Sequence, residues 1–179
     1  MRFEIKVPIA FTNLNFIKNN LRNFKNLKKQ HDNRIISSIY FDTKDLTLAS
    51  YNIEGINNRY KFRIRWYNND TNIFRYEIKK KINKLSQKKT YTSNKPLDKK
   101  NINLFSKKNL DLINQLDNED KFIINNLNLL PIIKVEYLRE YLIYKNKVRL
   151  TIDHRPIYKM INCQKNRVKK DTNIILEFK

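Results

Sequence analysis

Alternation is the strongest pattern along the chain. Residues 58–66 read Asn-Arg-Tyr-Lys-Phe-Arg-Ile-Arg-Trp, with Arg59, Lys61, Arg63 and Arg65 set between Tyr60, Phe62, Ile64 and Trp66. A strand sends successive side chains to opposite faces. Residues 58–67 therefore predict a strand with four cations on one face and four large apolar groups on the other. Residues 2–7, 34–42, 73–81, 86–92, 132–144, 148–153 and 173–179 predict further strands, with loops at 68–72 and 145–147. Residues 53–57 hold the only Gly and predict a turn. Leu14, Ile17, Leu21, Phe24 and Leu27 recur at three and four, predicting a helix over 12–29 capped by Thr12 or Asn13. Residues 43–50 predict a helical turn. Leu104, Leu112, Ile113 and Leu116 predict one helix and 122–130 a second, stopped by Pro131. About eight strands and three helices, without repeat or linker, make an α+β domain on a mostly antiparallel sheet.

The strands share one arrangement. Glu4 and Lys6 occupy one face. Glu77, Lys79 and Lys81 lie opposite Tyr76 and Ile78. Tyr137, Arg139 and Tyr141 share a face, as do Arg149, Thr151 and Asp153. Glu177 and Lys179 lie opposite Leu176 and Phe178. One reading is an amphipathic sheet with its charged side in water. The other closes the strands into a barrel with the charges inside, since eight strands leave room for one small ligand. The recurrence of Glu-x-Lys at 4–6, 77–79 and 177–179 favours the second, because a solvent face more often scatters Ser, Thr and Gln. Arg and Lys would then hold phosphates, and the carboxylates a hard cation.

Composition sharpens the picture. The 179 residues carry 38 Lys and Arg against 17 Asp and Glu, a net charge of +21. Such an excess attracts nucleic acid, anionic lipid or phosphate-rich small molecules. Lys and Asn each occur 27 times, a bias of AT-rich coding that discounts part of the Lys excess. Arg63, Arg65, Arg139 and Arg149 escape that discount and lie in strands. Cys163 is the only cysteine, so an internal disulfide is excluded and a reducing cytosol fits. A signal-like run is absent from the first residues, and apolar stretches fall short of the ~20 residues of a membrane span. A soluble, cytoplasmic protein is expected, compatible with a membrane-protein partner at the inner face of a membrane.

Taken in order, these segments resemble the VTC (vacuolar transporter chaperone) domain, a polyphosphate-polymerase branch of the triphosphate tunnel metalloenzymes. The resemblance rests on Arg-Phe-Glu-Ile-Lys at 2–6, Ser-Ile-Tyr-Phe-Asp-Thr at 38–43 and Asn-Arg-Tyr-Lys-Phe-Arg-Ile-Arg-Trp-Tyr at 58–67. It continues through Tyr-Glu-Ile-Lys-Lys-Lys at 76–81, Val-Glu-Tyr-Leu-Arg at 135–139, Val-Arg-Leu-Thr-Ile-Asp at 148–153 and Ile-Leu-Glu-Phe-Lys at 175–179. It covers 1–179 as one domain. It implies an eight-stranded antiparallel tunnel with helices packed outside, and transfer of the ATP γ-phosphate to polyphosphate with Mn²⁺ or Mg²⁺. Carried over by position, Arg63, Arg65, Lys79, Arg139 and Arg149 would bind the reacting phosphates. Lys6, Arg59, Lys61, Lys81, Tyr40 and Lys179 would line the tunnel, with either Lys88 or Lys89. Glu177 would be the leading metal ligand, followed by Glu4 and Glu77. The hydrolase branch begins Glu-x-Glu-x-Lys; Arg2 stands at the first of these positions here and favours the polymerase branch. Family members usually continue past the last strand with helical elements, so by this resemblance a chain ending at Lys179 reads either as a piece of a longer protein or as a minimal or damaged member.

Three functions fit: a metal-dependent polyphosphate polymerase using ATP, a triphosphatase acting on tripolyphosphate or a nucleoside triphosphate, and a binding module for polyphosphate or, as the weaker partner, nucleic acid. His31, His154 and Cys163 are too scattered for a metal site, and Cys163 reads as a spare thiol in a polar loop. The lysine pairs at 99–100 and 169–170 read as solvated, with guidance of polyphosphate as the alternative, and Trp66 and Tyr67 as core packing ahead of base stacking.

Overall fold

The computed structural model describes residues 4–83, 85–93, 95–97, 114–161 and 167–179. Among these, nine strands form one sheet: β1 (Ile5–Ala10), β2 (Leu27–Asp42), β3 (Asn58–Tyr67), β4 (Asp70–Ile82), β5 (Leu85–Thr92), β6 (Leu130–Tyr144), β7 (Val148–Met160), β8 (Val168–Lys170) and β9 (Asn173–Phe178). Three α-helices accompany them: α1 (Leu14–Arg22), α2 (Thr47–Ile53) and α3 (Asn118–Leu127). The strand order is β1-β9-β7-β6-β2-β3-β4-β5, with β8 on β7. The pairs β1/β9, β3/β4, β4/β5 and β7/β9 are antiparallel. The α+β class and antiparallel sheet agree with the sequence pattern. Among the described residues the pairing path ends at β1 and β5, so these pairings do not close the expected barrel.

Two tight turns follow from local chemistry. Asn68 and Asn69, at φ 51° and 62°, join β3 to β4, and Lys145 and Asn146, at φ 49° and 57°, join β6 to β7. Paired left-handed residues match the twist of a hairpin, and Asn tolerates that region.

Two expected elements differ. The helix foreseen over 12–29 stops at Arg22. Asn23 N–H turns back to the Asn20 carbonyl, and β2 begins at Leu27. The three-four recurrence of Phe24 and Leu27 was a coincidence of spacing. Asn19, Asn20 and Asn23 are weak helix formers, and strand pairing took the residues that follow. Pro131 was expected to stop a helix. It is instead a buried residue of β6, while α3 ends three residues earlier through Asn128 at φ 45°. Of the helix expected around 104–116, Leu104, Leu112 and Ile113 lie outside the described residues, and Leu116 is buried.

The chain divides into two compact units. The first comprises 1–36, 135–158 and 168–179, and the second 37–134 and 159–167. In the first, Leu14 of α1 packs with Leu150 and Ile152 of β7 and Ile174 and Leu176 of β9. In the second, Ile39, Phe41, Phe62, Ile64, Trp66, Phe74, Tyr76 and Ile78 pack with Leu48 of α2 and Ile124 of α3. Each core takes one parity of its strands, which leaves the other parity to the charges.

The strand-to-helix turn after β2 is built by Asp42. Its buried carboxylate accepts the N–H groups of Thr43, Leu48 and Ala49 at 2.7–2.8 Å, while Thr43 Oγ1 accepts that of Thr47 at 3.0 Å. Donors left open by the first turn of α2 are thus satisfied from the preceding strand. Asp42→Ala is expected to destabilise the fold by about 1–3 kcal/mol. Urea unfolding should show a lower midpoint with an unchanged slope.

Candidate functional site

Each unit presents one charged face, on the parity opposite its core. In the second unit the register sets Arg63 against Glu77, Lys61 against Lys79, Arg59 against Lys81, and Lys79 against Lys88. Glu77 is buried and holds two cations. Arg63 Nε donates to its Oε2 at 2.5 Å, and Lys88 Nζ to its Oε1 at 2.6 Å. Arg63 Nη1 also donates to Tyr40 Oη at 2.9 Å, and buried Arg65 donates from Nε to Ser38 Oγ at 3.0 Å. Both guanidiniums are held from below by β2, whose Ser38 and Tyr40 share the parity that faces them. Lys61, Lys79 and Lys88 form a row across three adjacent strands and are exposed.

Titration follows from this crowding. Burial raises the Glu77 carboxyl, but Arg63, Lys88 and Arg65 outweigh it and hold it below its usual range. Burial likewise raises the Tyr40 phenol, and the charges of Arg63, Arg65 and Lys61 pull it down.

In the first unit, Glu177 of β9 is the buried centre. Lys6 lies opposite it in the register and Lys179 beside it, at 3.3 Å and 3.0 Å. Glu4 contacts the same two lysines at 3.2 Å and 3.7 Å. The Glu-x-Lys pairs at 4–6 and 177–179 thus interlock as a four-charge ring. Arg139 is bidentate to Asp153, with Nε to Oδ1 at 2.5 Å and Nη2 to Oδ2 at 2.6 Å, and it stands 3.6 Å from Glu177. Its guanidinium lies over the Tyr137 ring, 5.3 Å from the centroid. Arg149 is exposed, and its backbone pairs with Lys179.

The structure separates Lys88 from Lys89. Lys88 shares the Glu77 face, whereas Lys89 points to the helix side and ion-pairs with Asp117 and Asp120 of the α3 N-terminal turn.

A family model, the VTC domain, matches residues 1–179. The chain belongs to the VTC domain family. Among curated proteins none matches it. Solved structures share the fold of this VTC domain. A candidate adenylate cyclase from Vibrio parahaemolyticus has a TM-score of 0.50 at 13% identity, over 99% of this chain and 75% of that one. A candidate adenylyl cyclase from Hippeastrum, described as having dominant triphosphatase activity, has a TM-score of 0.53 at 13% identity, over 99% and 79%.

Several side chains that shape the VTC-domain faces were not singled out from the sequence. Ser38 fixes Arg65, Asp153 fixes Arg139, and Arg75 stands opposite Arg65 with its guanidinium over Tyr67. Asp153 was legible: counting outward from the turn between Tyr144 and Val148 sets position 153 opposite 139. Ser38 had no such signal, because its strand is remote in sequence from β3.

For a divalent cation, the relevant donors are Glu177 and Glu4, hard oxygen ligands that suit Mg²⁺ or Mn²⁺ when phosphate oxygens complete the shell. Among the described residues no three His, Cys, Asp or Glu side chains gather as a protein-only metal cage. Both carboxylates are engaged by Lys6 and Lys179, so a cation shared with a phosphate would displace those ammonium groups. Glu77 is already engaged by Arg63 and Lys88 and reads as a counter-charge.

Burial raises the Glu177 pKa, but the hydrogen bonds with Glu4 and Lys179 and the charges of Lys6 and Lys179 win, leaving it at about 2 against an ordinary 4.5. A depressed folded pKa means the ionised group stabilises above pH 4.5, and that contribution fades as the pH falls toward 2. Its size is roughly 2–3 kcal/mol. Unfolding of the ligand-free protein followed from pH 6 to pH 2 should show a slope over that window that is shallower in Glu177→Gln; equal slopes in both proteins would refute this role.

Proposed function

We propose that this VTC domain transfers the terminal phosphate of ATP to a polyphosphate chain held by the cations of its charged strand faces. The observation that carries the reading is the fixed pair Arg63 and Arg65 beside the row Lys61, Lys79 and Lys88. Arg63 is steered by Glu77 and Tyr40 and Arg65 by Ser38. A forked guanidinium binds phosphate oxygens bidentately, and lysines add point charges along the chain. Arg139 and Arg149 extend the same chemistry on the other charged face, with Lys6 and Lys179 around Glu177.

Phosphoryl transfer asks little covalent work of a protein; in-line positioning and stabilised oxygen charge supply most of the rate. Cations held in place before the substrate arrives need little reorganisation during the reaction. Glu177 with Glu4 would hold Mn²⁺ or Mg²⁺, whose role when bound is to neutralise phosphate oxygens. ATP and polyphosphate or tripolyphosphate are the substrates proposed.

A second reading is supported by the triphosphatase activity ascribed to the Hippeastrum protein. The same cations would hold a triphosphate while water replaces the acceptor chain. Product analysis after incubation with ATP and Mn²⁺ divides the two. Long phosphate chains support polymerisation; orthophosphate alone supports hydrolysis. Binding that persists in chelator, with neither product, supports a non-catalytic binding module.

Arg63→Ala combined with Arg65→Ala is expected to weaken tripolyphosphate binding at least about 100-fold by calorimetry, since two bidentate, charge-assisted contacts are lost. A loss of only a few-fold that tracks salt concentration would point to diffuse polyanion attraction, of the kind nucleic acid gives.

A further inference from the structure

Four large aliphatic side chains stand in solvent at one end of the second unit. Ile53 is 86% exposed, Leu85 79%, and Ile56 and Ile82 41% each. Two adjoining turns bring them together. The helix α2 ends at Ile53, and Gly55, at φ +75°, turns the chain so that Ile56 N–H reaches the Tyr51 carbonyl at 3.0 Å. The Asn83 N–H donates to the Asn57 carbonyl at 3.1 Å, which ties the end of β4 to this turn. Ile82 lies opposite Asn58 of β3 and opposite Leu85 of β5. By parity Ile82 continues the apolar row of Tyr76 and Ile78, but beyond the reach of the core. Isolated exposed aliphatics are ordinary; four on neighbouring turns form a patch that gains by leaving water.

Cations flank the patch. Arg59 and Lys81 face each other across β3 and β4 at this end, and Arg59 Nη1 donates to the Ile56 carbonyl at 2.7 Å. Lys80 lies over Tyr60 on the apolar side, paired with Glu119, and Glu54 is the acidic residue of the turn. The chain carries +21 overall. A second copy would be repelled by that charge. A soluble polyanion would match the cations and gain nothing from the aliphatic groups. An anionic bilayer answers both features, because apolar insertion and electrostatic attraction reinforce each other at its surface.

We infer that this tip docks on anionic membrane surfaces, seating Ile53, Ile56, Ile82 and Leu85 among the acyl chains with Arg59 and Lys81 at the headgroup phosphates. This rests on exposure and register and is independent of the proposed phosphoryl transfer. The test is co-sedimentation with vesicles of phosphatidylcholine and phosphatidylserine in equal parts, beside pure phosphatidylcholine. The protein should bind the anionic vesicles alone. Ile53→Ser combined with Leu85→Ser should lower partitioning at least about tenfold, whereas Ile73→Ser, a 61% exposed residue at the far end of β4, should leave it unchanged. Both replaced side chains are solvated, so circular dichroism should match the unsubstituted protein. A tryptophan placed by Leu85→Trp should shift its emission to the blue on anionic vesicles. The inference is overturned if the double variant binds as well as the original and both are released by salt alone. It is equally overturned if the substitutions change self-association by light scattering and leave vesicle binding untouched.

Discussion

Cations set side by side on one face of a sheet repel one another, and in each unit one buried carboxylate, Glu77 or Glu177, makes the charged face tenable. The Cβ atoms of cross-strand neighbours stand ~5 Å apart, so like charges carried on them are held within repelling range. Glu77 binds Arg63 through one oxygen and Lys88 through the other. Glu177 is shared by Lys6 and Lys179, with Arg139 nearby. Glu77 relieves part of the repulsion on a face that stays net positive, with Arg63, Arg65, Lys61, Lys79 and Lys88 around one carboxylate. Around Glu177, the cations Lys6, Lys179 and Arg139 are matched by Glu177, Glu4 and Asp153. The cations left over on the Glu77 face are the feature on which the proposed phosphate binding rests.

The stretch at 38–43 shows how densely one strand can be used. Ser38 and Tyr40 face the charges and hold Arg65 and Arg63. Ile39 and Phe41, on the other parity, are buried in the core. Asp42 and Thr43 then satisfy the first turn of α2. Core, site and helix start are thus specified by six consecutive residues, and a shift of register by one would exchange all three roles. The likeness to the Vibrio and Hippeastrum proteins at 13% identity is a likeness of fold, since alternation and turn chemistry survive wide changes in side chains.

Legibility varied with the range of the interaction that decided each feature. β3 matches its expected bounds because its alternation is complete and its turn is made by Asn68 and Asn69. The pairing of Arg63 with Glu77 and of Arg139 with Asp153 sits across hairpins, so counting from the turn reaches it. The start of β2 was misread as helix because Leu27 happens to continue a helical spacing, and only the neighbouring strands reveal which period wins. The choice between Lys88 and Lys89 turned on strand phase: Lys89 meets Asp117 and Asp120 on the helix side, which gives Lys88 to the charged face.

The amino-acid order by itself determined the α+β class, the hairpins, the division of each strand into a charged and an apolar parity, and the family, because these depend on contacts a few residues apart or on period alone. Tertiary structure decided which carboxylate holds which cation, how the Glu-x-Lys pairs of the two chain ends interlock through the register of Lys6 with Glu177, and which aliphatic side chains stay outside the core. Those outcomes join residues far apart in the chain. Their energies arise only when strands are brought to hydrogen-bonding distance, and no local pattern encodes that step.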